Sequence, residues 1–270
     1  MKAGTRFLWT LSLLLACDDP QAAARPGPEP APAPAPDPAP EPAPEKAPEP
    51  QKEAAKASRP AEDLARDTGR KPQAIMDFFE IRPGSKVVEL QAGRGYYSEL
   101  LVERVGREGA VWAHNNAFVM DRFARGPLTK RLDRIGAPNL KVLESELDEP
   151  KLPEGLDAVL IVLFYHDTYW QGVDRAKMNR AVFEALEPGG VYGVVDHHAE
   201  ADSGDRDVKT LHRVDMELVK KEILEAGFVL DASSDLLANP EDTHKDNVFK
   251  REPRDNTDRF VLRFKKPAAP

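Results

Sequence analysis

The chain has 270 residues, a net charge of −8 at neutral pH, one cysteine and 25 prolines. That acidic balance excludes a general nucleic-acid binder, which needs a basic face against phosphates. With no zinc-type cysteine pairing, no G-x-S-x-G elbow and no P-loop, the common zinc-finger, hydrolase and kinase readings also fall away.

Residues 1–17 read as a lipoprotein-type signal peptide. Lys2 and Arg6 precede FLWTLSLLLA, an apolar run of about ten residues, shorter than a spanning helix requires. Leu14-Leu15-Ala16-Cys17 resembles the bacterial lipobox, whose cysteine is diacylated and becomes the new N-terminus. Behind it, residues 18–57 alternate Pro, Ala and Glu, and 13 of the 25 prolines fall between Pro20 and Pro50. Proline removes the backbone donor and the remainder is alanine or charge, so this stretch is expected to be a disordered, polyproline-like linker. The expected location is the cell envelope, anchored to the membrane through a lipidated Cys17 and facing the periplasm or exterior. If the signal is not used, the protein is cytoplasmic.

From residue 58 to residue 267 the texture changes to periodic segments that predict one folded domain. Ala61 to Ile81 carries apolar residues at Leu64, Ile75, Phe78 and Phe79, a leading helix or two interrupted near Pro72. Lys86 to Leu90 reads as a strand followed by a helix from Tyr96 to Val105. A strand from Ala110 to His114 precedes a helix within Phe118 to Ile135, and Leu140 to Glu144 is a further strand. Leu156 to Tyr165 is predicted as strand and Asp174 to Leu186 as helix. After Pro188-Gly189-Gly190 come a strand from Val191 to Asp196, a helix from Met216 to Ala226, a strand starting at Phe228 and a last strand from Arg259 to Lys265. A continuous apolar run such as AVLIVLF is what a sheet buried on both faces requires. The order therefore predicts an α/β fold, doubly wound and mostly parallel, with an antiparallel finish.

Three stretches carry candidate chemistry. VVELQAGRGYY, residues 87–97, is an apolar strand that ends in an acid and turns through Gly93 and Gly95 into a helix, the context of a ligand-cradling turn. Tyr165-His166-Asp167 closes the fourth strand and Asp196-His197-His198 the fifth, so groups able to carry protons or bind metal are expected together at neighbouring strand ends. Either His166 or His197 serves as a general base beside Asp196, or Asp167, Asp196 and one or more histidines hold a divalent cation, or the side chains only cap helices. Asp215 is expected to cap the helix from Met216.

The segments RPAEDLARD, FFEIRPGSKVVEL, LEPGGVYGVVDHHA, KTLHRVD, EAGFVL, ANPEDTHKDNVF and TDRFVLRFKKP together resemble the class I S-adenosylmethionine-dependent methyltransferases, more closely a bacterial group of predicted methyltransferases within them. The resemblance covers nearly all of residues 58–267. It implies a Rossmann-like methyltransferase fold with a seven-stranded sheet, and S-adenosylmethionine as cofactor in a cleft at the carboxyl ends of the strands. The family pattern of an acid followed by three alternate glycines falls on Glu89, Gln91, Gly93 and Gly95, with Gln91 in place of the first glycine. The acid that ends the second strand in the family is absent, and Asn115 stands there instead. Glu144, Glu146 or Asp148, after the third strand, falls where the family faces the adenine amino group, with Asp148 carried into the donor-binding set, and Tyr165 joins that set. The implied function is methyl transfer to an unidentified small molecule. Its rival is a non-catalytic binding lipoprotein on the same scaffold, and a nicotinamide dehydrogenase is the more distant third.

Overall fold

The computed structural model describes residues 59–251 and 255–268; the signal peptide, Cys17 and the proline-rich linker of residues 18–57 lie outside the described residues. Seven strands form one sheet in the order β3-β2-β1-β4-β5-β7-β6. They are β1 (Lys86–Leu90), β2 (Ala110–Asn115), β3 (Leu140–Glu144), β4 (Leu156–Val162), β5 (Leu186–His197), β6 (Val229–Ser234) and β7 (Arg259–Lys265). The first five are joined by parallel pairings, whereas β7 runs antiparallel between β5 and β6. This is the Rossmann-like methyltransferase fold.

Helices cover both faces because the central strands are apolar on both. On one side α2 (Pro72–Phe78), α3 (Tyr96–Val105) and α5 (Arg125–Ile135) bring Ile75, Leu101 and Leu128 against Val87, Leu160 and Val195. On the other, α7 (Arg175–Ala185) and α8 (Met216–Glu225) bring Met178, Val182 and Ile223 against Val88, Ile161 and Val194. Consecutive residues such as Val87 and Val88 therefore enter different cores, as the two-residue period of a strand requires. Each such side chain contributes roughly 1.5–3 kcal/mol by leaving water.

The leading helix is split as its proline demands. α1 (Ala61–Arg70) ends at Lys71, which takes a left-handed φ of 44°, and Pro72 then opens α2 at the first helical position, where a missing N–H leaves no bond unmade. The region after β2 is continuous but irregular: α4 (Ala117–Val119) passes through a π-turn (Met120–Ala124) into α5. Pro127 accounts for the widening, because its ring crowds the carbonyl of Phe123 and offers it no donor. Asp215 caps α8 by accepting the Glu217 N–H at 2.9 Å.

Two strand boundaries differ from the sequence expectation. β4 stops at Val162 rather than Tyr165, because Leu163 turns to a φ of 58° and gives its N–H to the Val195 carbonyl at 2.7 Å. β5 starts at Leu186 rather than Val191; Leu186 pairs with Leu156 and the ladder shifts register before Ala158. After the turn at residues 163–166 comes the short helix α6 (Asp167–Trp170).

Candidate functional site

The turn after β1 is shaped by left-handed backbone at Gln91, Gly93 and Gly95, with φ of 52°, 57° and 81°. Gln91 takes this conformation without the freedom of the glycine it replaces, and its surroundings hold it there. Its Oε1 accepts the Asn116 N–H at 3.2 Å. Gly95 has a packing reason as well, since a Cβ there would stand 2.8 Å from Leu128 Cδ1. Asn115 closes the turn from the end of β2: its Oδ1 accepts the Gly93 N–H at 2.8 Å and its Nδ2 donates to the Gly93 carbonyl at 3.2 Å.

Asn116 ties this turn to α6. Its Oδ1 accepts the Val119 N–H, which fixes the amide orientation, so Nδ2 donates to Gln171 Oε1 at 3.2 Å. The same reasoning orients Gln91, whose oxygen must face the Asn116 N–H. Gln91 Nε2 and Gln171 Nε2 are then both buried donors without a partner among the described residues. Two orphan donors on one seam are uncommon in a folded protein and call for an acceptor that the described residues do not supply. His114, just before, is buried beside Ser145, and burial pushes its imidazole down to about 4.

Glu89 lies beneath the turn, 4% exposed, and accepts the Ser98 hydroxyl proton at 2.5 Å. Burial pushes its carboxyl up to about 7, with the Ser98 bond and the Arg70 charge opposing only part of the shift. Because this value lies above the ordinary 4.5, the folded chain holds the proton more tightly than the unfolded one. Stability is fully present below the ordinary value and falls by roughly 3 kcal/mol as pH rises through 7. Glu89→Gln cannot ionise and is expected to stabilise the ligand-free protein by that amount at about pH 8 but hardly at about pH 4. Urea unfolding at the two pH values checks this; an equal effect at both would contradict it.

Two openings flank the turn. A cleft of about 850 Å³ is lined by Glu89 and Gln91, by Arg66 and Arg70 of α1, by Tyr97 and by Arg131 of α5. The Arg131 charge is matched by Asp63 at 2.6 Å and by Glu99, and its Nε donates to the Arg94 carbonyl. A smaller opening of about 300 Å³ is lined by Asn116, Asp148, Trp170 and Gln171. Asp148 also accepts the Asp174 N–H at 2.8 Å, which braces the start of α7.

Tyr165 does not join this site. Its ring lies in the core under α7 and α8, its hydroxyl accepting from Asn179 at 2.8 Å and donating to Glu222 at 2.9 Å. The expectation that it lies with the donor-binding residues is corrected by that orientation, which the tie to Glu222 on α8 fixes.

The acids and histidines at the ends of β4 and β5 do meet, in a definite arrangement. Asp196 is fully buried; its carboxylate accepts the backbone N–H of His166 and of His197, each at 2.8 Å, and stands 2.7 Å from His166 Nδ1. His166 Nε2 lies 3.1 Å from Asp167, which also accepts the Trp170 indole N–H at 2.7 Å and faces His212 Nδ1 at 3.2 Å. Burial alone would push the His166 imidazole down, but Asp196 and Asp167 together carry it up to about 10. Held between two carboxylates, His166 keeps its proton at neutral pH and is not the neutral base that its strand-end position suggested.

His197 has the opposite character. Its Nδ1 lies 2.7 Å from Thr257 Oγ1, and burial, joined by the positive charges of His166, Arg259, Arg213 and Arg70, pushes it well below the ordinary histidine value. On β5 it follows the alternation of Val191 and Val195, which puts it on the α2–α3 side of the sheet. His198 turns outward to stack on His244, with ring centroids 5.7 Å apart. Sequence reasoning passed over Ser98, whose partner Glu89 lies across the turn after β1, and Gln171 and Thr257, whose partners Asn116 and His197 are far away in the chain.

No family model matches the sequence, and no curated protein matches it. Among solved structures the chain is similar to an S-adenosylmethionine-dependent methyltransferase from Aquifex aeolicus, at 16% identity over 77% of this chain and 98% of that one, with a TM-score of 0.54. It is similar to a proposed sarcosine dimethylglycine methyltransferase from Galdieria sulphuraria, at 16% identity over 76% of this chain and 88% of that one, TM-score 0.54. The cyclase SpnF matches at 14% identity over 74% of this chain and 81% of that one, also with a TM-score of 0.54. At such identities the likeness shows the fold.

Proposed function

We propose that this chain is an S-adenosylmethionine-dependent methyltransferase acting on a small molecule. The observation that carries the reading is Glu89: a buried carboxyl with its value raised to about 7, on the wall of an 850 Å³ cleft beside a turn of three left-handed residues. A carboxyl in that state is suited to meet an ammonium group, and the bare backbone at Gly93 lets a ligand lie against the chain. In this reading Glu89, Gln91, Gly93 and Gly95 hold the donor on a turn that Asn115 closes from behind, Asp148 borders its base, and the orphan amide nitrogens of Gln91 and Gln171 donate to its acceptors. Bound there, S-adenosylmethionine supplies an electrophilic methyl group. The neutral His197 takes the proton that the accepting atom releases, while Asp196 and His166 fix the strand ends around it.

One feature favours a second reading, ligand binding without transfer. β2 ends in Asn115, whose amide closes onto Gly93, so no carboxylate stands there to strengthen a contact with a ribose diol. The fold does not decide between the two, since it also serves a protein named for cyclisation. Incubating the full chain with methyl-labelled donor and fractionated small-molecule extract tests transfer. Label is expected in a small-molecule product, and donor binding with no labelled product in any fraction would leave the binding reading. We further propose that Cys17 is lipidated and anchors the domain at the membrane, in the cell envelope. Uptake of a fatty-acid analogue by the wild type but not by Cys17→Ser is the expected result; no uptake by the wild type would refute it.

A further inference from the structure

The geometry points to a divalent-metal site, independent of the donor cleft, formed by His166 Nε2, Asp167 Oδ1 and His212 Nδ1, with Asp196 as the carboxylate that orients His166. The three donor atoms lie within 4.8 Å of one another. Two of the three edges are already 3.1 Å and 3.2 Å long, both meeting at Asp167. Ligands about 2.0–2.2 Å from one ion, at tetrahedral or octahedral angles, stand roughly 3.0–3.5 Å apart, so these edges need no backbone movement.

The surroundings are those of a held ligand set rather than a chance meeting of polar groups. A metal-bound imidazole gives its other ring N–H to a carboxylate, which fixes the tautomer and aims the free nitrogen. Asp196 occupies that place at 2.7 Å from His166 Nδ1, and is itself fixed by two backbone N–H groups. The Trp170 indole fixes the Asp167 oxygen. His212 is presented from a left-handed backbone, φ 56°, a conformation that costs a non-glycine residue free energy and is kept here by its neighbour: Arg213 is fully buried and bonded to Asp242, the His198 carbonyl and the Asp246 carbonyl. The Asp167 and His212 side chains keep 18% and 21% of their surface, which leaves an entry path.

Two imidazoles and one carboxylate select a borderline ion of the zinc class over magnesium or calcium, which take oxygen ligands. Three protein ligands leave a position open for water or a substrate oxygen. The ion binds His166 through an unprotonated Nε2, so any proton held there passes to solvent when it enters.

The test is a calorimetric titration of the chelator-treated full chain with zinc ion alone, in buffers of different ionisation enthalpy. The expected result is one ion per chain at micromolar strength or tighter, with proton release. His212→Ala should weaken binding at least about 100-fold, and Asp196→Asn, which keeps the shape but removes the orienting charge, about 10–100-fold. His244→Ala, outside the set, should leave the affinity unchanged. Absence of saturable binding, wild-type affinity in His212→Ala, or loss of binding in His244→Ala would overturn the site. Circular dichroism of each variant separates lost binding from lost folding, and His212→Ala, on a partly exposed loop, decides if Asp196→Asn does not fold.

Discussion

Asp242→Ala is expected to destabilise the fold by about 3–5 kcal/mol, the largest stability effect of any single polar substitution considered. The side chains of Asp242 and Arg213 are both completely buried, and one guanidinium nitrogen lies 3.0 Å from each carboxylate oxygen. Asp242 also accepts the backbone N–H groups of Asp258 at 2.6 Å and His244 at 3.2 Å. Removing the carboxylate leaves a buried cation without its counter-charge and two backbone donors without an acceptor. Because burial pushes the Asp242 carboxyl up and these bonds hold it below the ordinary 3.8 all the same, the contribution is present above that value and is lost as pH falls beneath it. Urea unfolding followed by circular dichroism measures the loss. The double change Arg213→Met with Asp242→Leu should recover much of it, since an apolar pair leaves no buried charge. A change under about 1 kcal/mol in Asp242→Ala would show that water reaches the pair.

Gly93→Val is expected to weaken binding of S-adenosylmethionine at least about 100-fold, roughly 2.7 kcal/mol or more. Among the described residues nothing lies within 4 Å of a Cβ built at Gly93, so the new side chain enters the space that the ligand is proposed to use. Its left-handed φ of 57° adds strain for a β-branched residue, about 1–2 kcal/mol. Gly84→Val separates the two effects: Gly84 has a φ of 88°, also faces open space, and sits before β1 at the end of the strand away from the turn. It should lose similar stability and keep donor affinity. Equal donor affinity in Gly93→Val and wild type would refute the placement of the donor against this turn.

The features legible in the sequence were those that local pattern determines. Uninterrupted apolar strands announced a sheet covered on both faces, Pro72 announced the break between α1 and α2, and Asp215 announced a cap. The acid-turn-glycine context likewise located the turn after β1 despite Gln91. What escaped depends on residues far apart in the chain. Leu163 bends out of β4 because its N–H reaches Val195 on another strand, and nothing in residues 156–165 reveals that partner. Tyr165 is turned away by Glu222 and Asn179 on α8 and α7. The protonation of His166 could not be read from a strand-end histidine, since it depends on two carboxylates brought in by β5 and α6 at distances set by tertiary packing. The place of His212 beside Asp167 requires the buried Arg213 to pin the loop, which no local pattern shows.

The central claim is that the cleft beside Glu89 and Gly93 holds S-adenosylmethionine, and a calorimetric titration of the full chain with that compound and with its demethylated product tests it most directly. The expected result is one saturable site at micromolar strength, about −8 kcal/mol, for either compound, with protons released to buffer near pH 7 as the ligand's ammonium group ionises Glu89. Absence of heat and of any thermal stabilisation at millimolar ligand would contradict it.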